Sequence, residues 1–211
     1  MCTPGAVAPR IYLLSTDVEK DALEALFKAL PPARAALAAR LRETANFAAS
    51  VLGFYLVRYA LYAETGRVWS GDWQIAACGK PYLEGAPFFN LSHTAHAVAV
   101  AICEQEVGVD IEEIKPHHQA LAARICTADE LARLNRAHDQ VLELCRLWSE
   151  KEAEGKRLGT GIASPRSLST HQVKSSTLSL CGVPHVLSLS PATEAPVPQW
   201  ITPQQLFLSE R

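Results

Sequence analysis

An excess of charge of either sign is missing from this chain: 20 Lys and Arg stand against 22 Asp and Glu in 211 residues, a formal net charge of −2. Binding to nucleic acid or to an anionic membrane through bulk electrostatics has no support, although a local basic groove remains open. A long apolar run is missing too. The longest, Ala97 to Cys103, is far too short to cross a bilayer. Met1-Cys2-Thr3-Pro4-Gly5 lacks the charged start and apolar core of a secretion signal. A soluble, cytoplasmic protein is therefore expected, with no membrane and no nucleic acid among its partners. The third absence is paired cysteine. Cysteines at 2, 78, 103, 126, 145 and 181 form no C-x-x-C and have no histidines at zinc spacing, so reduced thiols are expected. Cys103 and Cys145 lie in apolar or helical patterns and read as small core residues. What the chain does have is 48% hydrophobic residues, enough to build the core of one generous domain or two small ones.

Arg10 to Leu14 reads as a first strand. Thr16 with Glu19 has the form of a capping box opening a helix whose apolar face is Leu23, Leu26, Phe27 and Leu30, and Pro31-Pro32 ends it. Residues 33 to 63 read as one or two helices, with Phe47, Phe54, Tyr55 and Tyr59 at helical spacing. From Trp69 to Glu112 short apolar runs broken by Gly, Pro and His suggest sheet. Thr127 with Glu130 forms another capping box, a second helix follows over about Gln140 to Lys156, and strand character returns at 176–180 and 185–189. Each half thus reads as helices with a short sheet, an α+β architecture.

Three stretches carry groups suited to chemistry. In Val107-Gly108-Val109-Asp110-Ile111-Glu112 two carboxylates stand two residues apart in an apolar, β-branched setting, so on a strand they share a face. Their repulsion and desolvation would be relieved by a hard cation; an acidic strand end at the surface is the alternative. Trp148-Ser149-Glu150-Lys151-Glu152-Ala153-Glu154-Gly155-Lys156 is the polar end of a helix, with Glu152 and Lys156 an i,i+4 pair that a solvated face would also carry. Gly79-Lys80-Pro81 and Phe89-Asn90-Leu91-Ser92-His93-Thr94 could supply donors to phosphate oxygens from Lys80, Ser92 and His93, or be an ordinary turn and a structural histidine.

In this order the stretches resemble the signature of the Sfp/AcpT-like 4'-phosphopantetheinyl transferases: Gly-Lys-Pro, Phe-Asn-Leu-Ser-His, Val-Gly-Val-Asp-Ile-Glu, and Trp-Ser-x-Lys-Glu-Ala-x-x-Lys, together covering Gly79 to Lys156. The length is similar to that of the family's pseudo-dimeric branch. The fold this resemblance implies is two pseudo-twofold-related α/β subdomains, each a small antiparallel sheet packed with helices: residues 1–106 with coenzyme A contacts, and 107–211 with a metal site and catalytic helix. The active site would lie at their interface, in a monomer.

The implied activity moves the 4'-phosphopantetheine arm of coenzyme A to a serine of an apo acyl carrier protein or peptidyl carrier domain, releasing 3',5'-ADP. By the same resemblance Asp110, Glu112 and Glu152 are the ligands of Mg²⁺, with Mn²⁺ as the alternative ion. His93 and Lys156 hold phosphate oxygens, and Lys80, Pro81 and Ser92 border the adenosine side. Glu152, or a water it holds, is the base, so that Glu152, Lys156 and Asp110 form the catalytic group. Upstream, Arg34 is preferred over Arg40 and Arg42 for the 3'-phosphate, Ser50 stands where the family has a threonine, and Arg58 where it keeps a helix arginine. The competing readings are another Mg²⁺-dependent phosphate chemistry and a non-catalytic paralogue that binds coenzyme A or a carrier.

Overall fold

A computed structural model of the chain describes residues 8–70, 72–116 and 119–206. In chain order the elements are β1 (Arg10–Ser15), α1 (Lys20–Ala29), α2 (Pro32–Ala39), α3 (Asn46–Thr65), the two-residue strands β2 (Gln74–Ile75) and β3 (Pro81–Tyr82), β4 (Phe88–His93), β5 (Ala97–Cys103) and β6 (Gly108–Glu113). They are followed by α4 (Gln119–Ile125), α5 (Ala128–Arg136), α6 (Gln140–Leu158), β7 (Lys174–Leu180), β8 (Val183–Ser190), β9 (Gln199–Ile201) and α7 (Pro203–Leu206). This is the α+β mixture of helices and small sheets read from the sequence.

Strand β5 is buried along its whole length, and the period-2 geometry of a strand explains how its residues divide. Val98, Val100 and Ile102 join Tyr12 and Leu14 against α1, α2 and α3. Ala97, Ala99, Ala101 and Cys103 face the other way, with Ile11 and Leu13, onto Val109, Ile111, Leu187 and Leu189. Small residues on that face let two sheets approach. The first sheet has the order β4-β5-β1-β9 and the second β6-β8-β7, the latter antiparallel throughout. Helix α3 covers the outer side of the first and α6 the outer side of the second, so each half sets one long helix on one small sheet.

The chain does not stay in the second half to its end. Strand β9 pairs with β1 in parallel, the one parallel pairing of the first sheet among the described residues, and Leu206 of α7 joins the core of the first half. Two local expectations also change. Helix α1 begins at Lys20 with Glu19 at its N-cap and no side-chain cap, so the Thr16–Glu19 capping box does not form. Thr16 instead donates its hydroxyl to the Ala95 carbonyl at 2.6 Å and its N–H to that of His96 at 3.1 Å, tying the end of β1 to the β4–β5 turn. Pro32 does more than end a helix: it is the first residue of α2, where a missing N–H costs nothing. The Thr127–Glu130 box, by contrast, forms with both its hydrogen bonds.

Candidate active site

Strand β6 alternates between two environments. Val109 and Ile111 point into the core between the sheets, whereas Gly108, Asp110 and Glu112 face α6. The approach is close enough that a Cβ at Gly108 would run into the Ala153 carbonyl and the Arg157 amide, and one at Gly155 into the Gly161 carbonyl. Glycine at both positions is therefore what allows strand, helix and following loop to touch through backbone.

Asp110 is buried, 2% exposed, and its Oδ1 accepts from Ser92 Oγ at 2.9 Å and from Lys156 Nζ at 2.7 Å; Lys156 also donates to Ser92 Oγ at 2.9 Å. Three of the motifs thus meet at one oxygen. The other oxygen, Oδ2, is buried without a hydrogen-bond partner. Glu112 receives the Trp148 indole N–H at 2.8 Å, and Arg124 lies 5.9 Å over the ring of that tryptophan. Burial, then the charge of Asp110, pushes the Glu112 carboxyl up to about 7; the Trp148 hydrogen bond and Lys156 oppose the rise, and Glu152 adds to it. The Glu152 carboxyl is raised by burial and by Asp110, against Lys156 and Arg124. Three carboxylates therefore sense one another here, with Lys156 as the shared cation. Although His93 keeps an exposed surface, the packing around it and the charge of Lys156 hold its pKa below the ordinary value, against the pull of Asp110.

Among the described residues no three acidic, histidine or cysteine side chains stand in the arrangement of a ready-made metal cage. The ammonium of Lys156 sits against Asp110 where such a cage would need an open oxygen. Still, an unpartnered buried oxygen on Asp110 and three mutually repelling carboxylates are the donor chemistry a hard divalent ion takes.

The remaining candidates lie around this cluster or apart from it. Lys80 is held by Glu106 and by the Arg157 carbonyl at 2.9 Å, which pins the 79–81 turn to the C-terminal end of α6. With Pro81, Tyr82, Phe88 and Phe89 it lines a cavity of about 440 Å³. Arg34 pairs with Asp72 at 2.6 Å and stacks 3.9 Å over Trp73, whose ring packs on Phe89 in the wall of that cavity. Arg42 pairs with Glu24 and Arg58 lies over Phe54. Ser50 is half-buried on α3, and no described contact joins it or Arg34 to Asp110. Burial pushes the Cys145 thiol up to about 12, which makes it a packing residue and no nucleophile.

Three residues matter more than their sequence suggested. Asn90 accepts the Val109 N–H through Oδ1 at 3.0 Å, carrying the hydrogen bonding of one sheet into the other beside Asp110. The signal was present: in Phe89-Asn90-Leu91-Ser92 the two polar residues alternate with apolar ones in a buried strand, and a buried amide needs a partner. Trp148 holds Glu112 as well as filling core. Lys151, the motif lysine, is fully buried, pairs with Glu130 at 3.0 Å and donates to the Pro165 carbonyl at 3.0 Å.

Residues 106–189 match the family model described as the 4'-phosphopantetheinyl transferase superfamily. Among curated relatives, the chain is 44% identical over 89 residues to the 4'-phosphopantetheinyl transferase psf-1 of Bacillus pumilus, covering 40% of this chain and 38% of that one. It is 31% identical over 121 residues to a 4'-phosphopantetheinyl transferase of Bacillus subtilis, 55% of this chain and 54% of the other. It is 34% identical over 91 residues to the 4'-phosphopantetheinyl transferase Sfp of Bacillus subtilis strain 168, 41% of each. The matches thus span from just over a third to about half the length of these relatives. The matched stretch, which holds Asp110, Glu112, Glu152 and Lys156, is similar to the 4'-phosphopantetheinyl transferase superfamily.

Proposed function

We propose that this protein transfers the 4'-phosphopantetheine group of coenzyme A to a serine of an apo carrier protein, leaving 3',5'-ADP. The observation that carries this reading is the meeting of Ser92, Asp110 and Lys156 at one carboxylate oxygen, with Glu112 and Glu152 in electrostatic reach. Residues far apart in the chain are assembled there into one charged site.

In this reading Asp110, Glu112 and Glu152 would hold Mg²⁺, which would supply positive charge against the phosphates. Lys156, now on Asp110, would supply its N–H donors to a phosphate oxygen as charge-assisted hydrogen bonds. His93, kept neutral by its surroundings in the free protein, donates one ring N–H to the same phosphates and gains charge as they approach. Glu152 accepts the proton of the incoming serine hydroxyl directly or through water. No covalent enzyme intermediate is required, because the nucleophile belongs to the carrier. The cavity lined by Lys80 and Pro81 takes the adenosine, and Arg34, behind Trp73, comes to the 3'-phosphate by leaving Asp72. Residues 1–106 thus supply most coenzyme A contacts and 107–211 the carboxylates.

The test is a mass measurement. Incubated with coenzyme A, Mg²⁺ and an apo carrier protein, the protein should add one phosphopantetheine to a single carrier serine. Phosphate or nucleotide release without carrier modification would favour a different phosphate chemistry. Coenzyme A binding with no transfer to any of a panel of carriers would favour a non-catalytic binder.

A further inference from the structure

Three polar residues stand side by side across the second sheet. Asp110 on β6 pairs with Ser188 on β8, which pairs with Ser175 on β7. Directly opposed residues of antiparallel strands share a face. Both ends of this row face α6, for Asp110 receives Lys156 and Ser175 donates to Glu150 Oε1 at 2.9 Å. Ser188, between them, faces α6 as well, is fully buried, and has a hydroxyl without a partner.

The register of the helix brings a second hydroxyl to the same level. Cys145 Sγ reaches the Glu113 carbonyl at 3.5 Å, and Ala153 abuts Gly108. One turn from each stands Ser149, over the middle of β6, where Asp110 is. It too is fully buried and unpartnered. The third such atom is Asp110 Oδ2. A buried polar atom left alone is destabilising, so three of them at one level of one helix–sheet interface call for a common partner.

We propose that Ser149 and Ser188 are positioning residues for Asp110, joined to its Oδ2 by one buried water molecule. A buried water makes about three hydrogen bonds. Here it donates to Oδ2 and to one serine oxygen and accepts from the other serine. With Ser92 and Lys156 on Oδ1, both oxygens of Asp110 are then held and the carboxylate cannot rotate. An ionised oxygen has more than one acceptor direction, so Oδ2 keeps a second for a cation on the Glu112 and Glu152 side. Only this last consequence rests on the reading of Asp110 as a metal ligand.

The experiment compares wild type with Ser149→Ala and Ser188→Ala in thermal unfolding without metal, in Mg²⁺ titration calorimetry, and in a crystal structure of the metal-free wild type at high resolution. Density within hydrogen-bonding distance of all three oxygens is expected. Each substitution should lower the melting temperature by roughly 2–4 °C and weaken Mg²⁺ binding by about tenfold or more, as loss of a group behind a metal ligand does. A rise in melting temperature on either substitution, the response of a hydroxyl that truly has no partner, would overturn the proposal, as would empty density between the oxygens. Lower melting temperatures with unchanged Mg²⁺ affinity would overturn the positioning role. A wild type that binds no Mg²⁺ at all sinks the metal reading alone, since the density and the direction of the melting shifts still judge the water.

Discussion

Under the proposed function Lys156 would have two duties at this site, and they separate on substitution. In the metal-free protein its ammonium is the cation nearest Asp110 and opposes the raised pKa values of both Glu112 and Glu152. Lys156→Met keeps most of the packed stem but leaves three carboxylates facing one another. Without metal this should cost about 1.5–3 kcal/mol, the range of hydrogen bonds to charged groups. Saturating Mg²⁺ should restore much of that stability, while transfer stays impaired because the phosphate has lost its donor. Melting curves with and without Mg²⁺, beside the carrier mass assay, separate the two duties. If Mg²⁺ stabilised the variant no more than wild type, the carboxylates would not be its ligands. The pairing of Asp110 with Glu112 was legible in the period-2 spacing of a short strand, and Lys156 in its place one turn after Glu152. The third partner at Oδ1, Ser92, comes from a strand of the other sheet, and no spacing rule relates it to Asp110.

Helix α6 is held at one side by an ion pair that the sequence disguises. Lys151 looks like one charge in an alternating exposed run, yet it is fully buried and spans α6, α5 and the loop at Pro165. Periodicity alone could not reveal this, because what buries Lys151 is a glutamate from another helix and a carbonyl beyond its own. Local signals succeeded where the partner is local, as in the capping box of α5, and failed where a distant group competes, as at Thr16, whose hydrogen bonds go to Ala95 and His96. Burial would raise the Glu130 carboxyl, but the Thr127 backbone and side-chain hydrogen bonds and the buried Lys151 together hold it below its ordinary 4.5. A depressed carboxylate contributes stability that is fully present above that ordinary value and disappears as pH falls through the lower folded one. Wild type should therefore lose this contribution only in acid. Glu130→Gln should lack it at neutral pH, at a cost of about 3–5 kcal/mol because a buried ammonium loses its counter-charge. The two melting temperatures should converge as the pH drops below the folded value, and a constant gap down to strongly acid pH would show that the pair contributes nothing through its charge.

At the scale of the whole molecule, the site exists only if two sheets from different halves of the chain keep their register. Apolar contacts between Ala97, Ala99, Ala101 and the Val109–Ile111 face supply adhesion, but adhesion of this kind is non-directional. Direction comes from Asn90, whose Oδ1 takes the Val109 N–H, one residue before Asp110, and from Ser92, which meets Asp110 itself. The parallel strand β9 adds a further tie, returning the chain to the first sheet after the second is built; it was not legible because three residues of sheet edge carry no pattern of their own. Asn90→Ala removes the directional bond and leaves the Val109 amide buried without a partner. It should cost about 1–3 kcal/mol, a fall in melting temperature of roughly 2–12 °C for a chain of this size. Ser92→Ala removes only one of two donors to Oδ1, so it should alter stability less and transfer more. Melting temperature and kcat measured on both variants decide the matter. Were Asn90→Ala to retain full stability and full turnover, the apolar interface by itself would set the register, and the polar strand face of β4 would serve ligand contact alone.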